Sequence, residues 1–182
     1  SFVPYLAFNS PAGSPADYKA FDVDTDWQRL TPTRLRLDAT ITDLSAVKAR
    51  GGRILHYHGW SDPGVSPQMS INYYEAVRQT EGAQETDDFY RLFLVPGMGH
   101  CQGGAAACSN VDWLGAMVNW LEKGIAPTAL TGAHIEKGQT TRTRPICAFP
   151  SQAVYKGSGS TDDAANFACS AGGPGSSIRA SR

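Results

Sequence analysis

The stretch Tyr90–Gly104, YRLFLVPGMGHCQGG, decides how the rest of the chain is read. Five of its first six residues are aromatic or aliphatic, Arg91 is the only charge among them, and Pro96 and Gly97 close the run. A short apolar run with such boundaries reads as a buried β-strand. The strand passes into a glycine-rich turn that carries His100 between Gly99 and Cys101. Glycine permits sharp bends and close backbone approach, so a histidine is delivered at the end of a core strand on a loop of specified shape. In open α/β sheets, sites lie just outside the carboxyl ends of the strands.

Upstream, Gly52–Asp62 reads GRILHYHGWSD. Arg53–His58 is a second expected strand, ended by Gly59, and Asp62 follows in a loop closed by Pro63 and Gly64. An acid and a histidine thus each follow a strand, 38 residues apart (100 − 62), with a helical segment between them. Acid before histidine is the chain order of the α/β-hydrolase triad, Ser…Asp/Glu…His. A carboxylate that holds the imidazole in one tautomer makes it a general base, so Asp62 and His100 are the candidate catalytic pair. The nucleophile is missing from the pattern: no G-x-S-x-G elbow occurs, Ser61 is followed by Asp62 and Pro63, and Ser158 lies in a Gly-Ser tract. In this chain order the serine precedes the acid by a long way, which puts it in sequence outside this chain.

The remaining patterns support an α/β layered fold. Ile41–Arg50 has Leu44 and Val47 at helical spacing and stops at Gly51–Gly52. Ser66 and Pro67 form a helix start, and Met69, Tyr73 and Val77 then repeat every four residues as an apolar face. Glu81–Asp88 reads as a polar acidic loop. Ser109 or Asn110 caps a helix over Val111–Lys123, with Trp113, Leu114, Met117, Val118 and Leu121 as its buried stripe and Gly124 as its stop. Residues 139–169 read as irregular structure. Ser1–Asp38, punctuated by prolines at 4, 11, 15 and 32, reads as the irregular end of a loop-rich subdomain, since its aromatics are too many for a linker.

The 182 residues suffice for one domain, and a net charge of −1 gives no electrostatic case for nucleic acid or an anionic membrane surface. No apolar run approaches a membrane span. The chain begins at Ser1 without a signal peptide and reads as a processed or truncated piece. Cys147 and Cys169 flank a Gly- and Ser-rich segment and look like a local disulfide, which points to a secreted or periplasmic setting. Asp22, Asp24 and Asp26 alternate but lack the Gly and terminal Glu of an EF-hand loop, so they read as a solvated acidic turn. His56, His58 and Asp62 approach the H-x-H-x-D-H arrangement of dinuclear metallohydrolases, but Trp60 and Ser61 break the match. The two histidines are expected to be buried and hydrogen-bonded near the sheet end, with no metal site in this chain.

His58–Pro67 (HGWSDPGVSP) taken with Val95–Gly104 (VPGMGHCQGG) resembles the tannase and feruloyl esterase family, which includes bacterial mono-hydroxyethyl terephthalate hydrolases. Arg144–Cys169 is similar to the family's C-terminal segment. The resemblance implies the C-terminal part of an α/β-hydrolase fold preceded by the end of an inserted lid. Residues 1–38 would end the lid, 39–170 would belong to the catalytic domain, and 171–182 would be a flexible tail. Asp62 then matches the triad acid and His100 the base. Cys101 matches a cysteine disulfide-bonded to one beside the nucleophilic serine, so its partner lies outside this chain, in the N-terminal portion of the same enzyme. Cys147 and Cys169 match the C-terminal disulfide, and Cys108 has no assigned partner. A structural calcium is implied in the lid. The implied function is a serine carboxylic ester hydrolase acting on hydroxycinnamoyl, galloyl or terephthaloyl esters, with Trp60 and Val65 flanking the acid as candidate substrate contacts. The alternative is a non-catalytic domain that binds a small ligand or a partner surface.

Overall fold

The structure is a computed structural model and describes residues 22–31, 33 and 37–171. Most of the lid segment expected at 1–38, and residues 172–182 of the expected tail, lie outside the described residues. The chain divides into two units between Ile41 and Thr42. In the first, Val23–Asp26 forms a short helix, α1, continued by a 3-10 turn over Trp27–Leu30, where the sequence had read as irregular. The Asp22 carboxylate starts the helix by accepting from the Asp24 and Thr25 backbone N–H groups, which the chain itself leaves unpaired at a helix start.

The second unit is built on two parallel strands, β1 (Ile54–Gly59) and β2 (Tyr90–Val95), preceded by a short helix α2 (Ser45–Ala49). Their register pairs Ile54 with Tyr90 and Gly59 with Val95, so both strands end at one level. The loops carrying Asp62 and His100 therefore leave the same edge side by side. β2 is buried on both faces, as an almost uninterrupted apolar run requires. Tyr90 and Leu92 pack with Ile71, Tyr74, Val77 and Phe89 on one side. Phe93 and Val95 pack with Met98, Ala107 and Ile146 on the other.

The β1–β2 crossover is two helices, α3 (Pro67–Glu81) and α4 (Ala83–Phe89). Here the structure corrects two expectations. Val77 faces inward as expected, but its buried companions on α3 are Ser70, Ile71 and Tyr74, while Tyr73 is only partly buried and Met69 is exposed. Aromatics at both 73 and 74 left the phase of the helix ambiguous. Residues 83–89 are helical rather than a loop. Gly82, at φ +93°, breaks the first helix and starts the second, whose Thr86 and Phe89 are buried. Its acidic character is neutralised locally: Asp87 accepts from Tyr74 Oη at 2.9 Å and Arg78 Nη1 at 2.6 Å.

After the His100 loop come β3 (Asn110–Val111) and α5 (Trp113–Lys123). The cap of α5 is Asp112, whose side chain accepts from the Gly115 N–H, and not Ser109 or Asn110, the latter being part of the short strand. Ala116 and Trp120 are the buried residues of α5. Leu114, Val118 and Leu121 of the expected buried stripe are exposed. Residues 139–169, expected to be irregular, are mostly regular. β4 (Ala129–Glu136) and β5 (Gln139–Cys147) pair antiparallel beside β3. β6 (Ser151–Tyr155) and β7 (Phe167–Ala171) form a separate antiparallel pair. Alternating Thr and Arg in β5 suit a half-buried strand, a pattern the high polarity of this stretch disguised. The Cys147–Cys169 disulfide ties β5 to β7, with the Cα atoms 5.7 Å apart. Arg144 lies over the Phe167 ring at 4.5 Å from its centroid and adds a second tie.

Candidate active site

The acid loop is stitched to the histidine loop through backbone. Trp60 N–H donates to Val95 O at 3.0 Å, and Ser61 N–H to Met98 O at 2.9 Å. Gly59 makes this approach feasible, because a Cβ there would collide with the carbonyl oxygens of Met98 and Gly99. Met98, 1% exposed, anchors the histidine loop in the core. The loop then turns tightly: Gln102 N–H donates to His100 O at 2.8 Å, and Cys101 takes the left-handed φ of +65°.

The two loops bring the Asp62 carboxylate to the His100 ring, with Oδ2 and Nδ1 2.7 Å apart. Oδ1 accepts from the Gly64 and Val65 N–H groups at 2.8 and 3.0 Å. The carboxylate is thus spread across an Asx-type turn and aims its second oxygen at the imidazole. The Val65 N–H, then the Gly64 N–H and the His100 ring, hold its pKa down at about 2, against the opposing effect of desolvation. An ionised Asp62 can only accept, so His100 carries its proton on Nδ1 and presents Nε2 as the free base. The side-chain exposures fit that division: 3% for Asp62 and 62% for His100. No described residue hydrogen-bonds His100 Nε2, so it is open to a group brought from outside.

Comparison with known proteins places the chain in a family. The family pattern described as tannase and feruloyl esterase matches residues 10–170. The chain belongs to the tannase and feruloyl esterase family. It is 45% identical over 136 residues to mono(2-hydroxyethyl) terephthalate hydrolase of Piscinibacter sakaiensis, an alignment covering 73% of this chain and 22% of that protein. It is 35% identical over 183 residues to feruloyl esterase C of Talaromyces stipitatus, covering 91% of this chain and 34% of the relative. Feruloyl esterase B from Aspergillus oryzae, a solved structure, superposes with a TM-score of 0.80 at 30% identity, over 93% of this chain and 36% of that one. This family member therefore spans about a third or less of the length of the curated relatives it matches.

The other residues singled out in the sequence fall in distinct places. Trp60 lines an open cleft of about 190 Å³ together with Leu94, Pro96, Ile146 and Phe149. The cleft does not reach Asp62 or His100 themselves. Val65 contributes through its backbone to the acid turn, and the residue is 39% exposed. Cys101 is exposed and unpaired within the chain, whereas Cys108 is a buried thiol whose pKa burial pushes up. Among the described residues no group of three or more His, Cys, Asp or Glu side chains could hold a metal ion. Asp22 and Asp26 are used by backbone N–H groups of their own turn. The sequence marks Gly59 only as a strand end and does not show its close approach to Met98 and Gly99.

Proposed function

We propose that this chain supplies the acid and the base of a serine carboxylic ester hydrolase acting on aromatic esters. The nucleophilic serine and its oxyanion hole come from sequence outside residues 1–182. The observation that carries the reading is the 2.7 Å contact between a buried, ionised Asp62 and the Nδ1 of an exposed His100. In the reaction, His100 Nε2 takes the serine proton as the hydroxyl attacks the ester carbonyl. The resulting imidazolium is stabilised by Asp62, which keeps its ring oriented without taking the proton. His100 then protonates the leaving alcohol, and the same nitrogen activates water to release the aromatic acid.

The relatives' names supply the substrate class: feruloyl and mono(2-hydroxyethyl) terephthalate esters share an aromatic acyl group. Trp60, at the rim of the cleft beside the acid loop, and Val65 are the side chains of this chain assigned to contact that group. Cys101 is assigned a disulfide to a cysteine beside the outside serine, which would fix the separation of base and nucleophile covalently. The Cys147–Cys169 disulfide supports a secreted or periplasmic setting.

The test uses the complete esterase polypeptide and a fluorophosphonate probe, with methyl ferulate and mono(2-hydroxyethyl) terephthalate as substrates. Hydrolysis of at least one ester, lost in step with labelling of one serine outside residues 1–182, is the expected result. Labelling of a serine within residues 1–182, or turnover indifferent to the probe, contradicts the proposal.

A further inference from the structure

Beneath the acid lies a row of polar side chains that the reaction does not use. Tyr90 Oη sits 2.7 Å from His56 Nδ1. His56 Nε2 is 3.1 Å from Ser70 Oγ, and Ser70 Oγ is 2.7 Å from His58 Nδ1. His58 Nε2 faces Val65 O at 3.1 Å and Asp62 Oδ2 at 3.3 Å. The row threads from the core to the acid turn: Tyr90 is 1% and Ser70 8% exposed, and the His58 side chain 10%.

The proton positions follow from what each group can do. Val65 O and an ionised Asp62 accept only, so His58 carries its proton on Nε2. A neutral His58 then accepts at Nδ1, and the single hydroxyl proton of Ser70 must point there. Ser70 in turn accepts from His56 Nε2–H, and His56 Nδ1 accepts from the Tyr90 hydroxyl. The other end agrees independently. Burial pushes the Tyr90 phenol above its ordinary range, so it remains a donor, and burial holds His56 toward its neutral form. Every donor therefore points the same way, toward Asp62, and aligned hydrogen bonds in a low-dielectric interior reinforce one another.

The geometry points to Tyr90, His56, Ser70 and His58 as a positioning relay that holds the acid turn. His58 Nε2–H grips Val65 O, the carbonyl of the residue whose N–H binds Asp62 Oδ1, and caps the back of Oδ2. The carboxylate thus cannot rotate away from His100 without stranding a buried imidazole. The two histidines that nearly spell a metal motif are accounted for as one strand face (56 and 58) bonded to one helix residue, Ser70. This assignment rests on the esterase reading for its kinetic consequence but not for its proton positions.

The experiment uses the complete esterase, with histidine labelled with nitrogen-15. Two-bond proton–nitrogen spectra at pH 7 are expected to show His56 and His58 as neutral Nε2–H tautomers and His100 as the Nδ1–H tautomer. Ser70→Ala and His58→Leu are expected to weaken the His100 Nδ1–H signal and to lower kcat about tenfold or more with little change in KM. His58→Gln keeps an N–H near the ε position and is expected to recover most of that loss. Nδ1–H tautomers at His56 or His58, or a doubly protonated ring at pH 7, overturn the relay whether or not any variant folds. Unchanged kcat and an unchanged His100 signal in both Ser70→Ala and His58→Leu overturn it equally. Correct tautomers in an enzyme that turns over no aromatic ester support the relay and reject the hydrolase reading instead.

Discussion

Replacing Gly59 with Ala is the smallest change that should separate the acid from the base. Gly59 ends β1 opposite Val95, and the two flanking backbone bonds, Trp60 N–H to Val95 O and Ser61 N–H to Met98 O, hold the acid loop against the histidine loop. An added Cβ would overlap the carbonyl oxygens of both Met98 and Gly99. Restoring ordinary carbon–oxygen contact needs a separation of about 1 Å. Met98 is fully packed in the core and cannot supply that movement cheaply. The shift therefore falls on Gly99–His100 or on the turn that carries Asp62. Overpacking of this kind costs about 1–3 kcal/mol of stability. A misplacement of about 1 Å at a catalytic group lowers turnover about a hundredfold. Urea unfolding and initial-rate kinetics on the full-length protein measure both. Gly64→Ala is the control in the same loop, because a Cβ there meets only Asp62 Oδ1, at 3.5 Å. Gly59→Ala should lose kcat far more than KM, and Gly64→Ala should stay near wild type. Full turnover in Gly59→Ala at unchanged stability would refute the claim that the loops are locked through this position.

Two further outcomes follow from the same geometry. The Asp62 carboxyl should titrate by carbon-13 NMR with a midpoint at about 2. Because its folded pKa lies below the ordinary value of about 3.9, its contribution to stability is complete above that value and is lost as pH falls through the folded one. His100→Ala should raise the midpoint only in part, since the Val65 and Gly64 N–H groups remain; a midpoint near 4 in the wild type would contradict the turn's role. Replacing Cys147 and Cys169 together with Ala should lower the unfolding free energy by about 3 kcal/mol for a crosslink spanning 22 residues, and a loss below about 1 kcal/mol would show that β5 and β7 hold without it.

What the sequence made legible was the part governed by local rules. Ile54–His58 and Tyr90–Val95 are short apolar runs closed by Gly or Pro, and both are strands. The histidine turn and the acid turn advertise themselves through glycine and proline, and parallel register then places them together. The parts that stayed hidden depend on partners distant in sequence. Ala83–Phe89 looks like a solvated loop because three of its seven residues are acidic, yet Arg78 and Tyr74 on the preceding helix take up Asp87. Helix α5 is apolar around most of its circumference, so periodicity alone cannot say that Ala116 and Trp120 turn inward and Leu114 outward. Strand β5 is rich in Thr and Arg, β6 and β7 are short and mixed, and their pairing is settled by register and a disulfide rather than by a hydrophobic pattern. Ser70 carried no sequence signal at all; only the fold brings its hydroxyl between two histidines.

The most direct test of the central claim is the rate of aromatic ester hydrolysis by the full-length protein with His100 replaced by Ala. If His100 is the base that Asp62 orients, turnover falls by about six orders of magnitude while the protein stays folded and still binds substrate. Turnover within a few fold of wild type would place the base elsewhere and contradict the account.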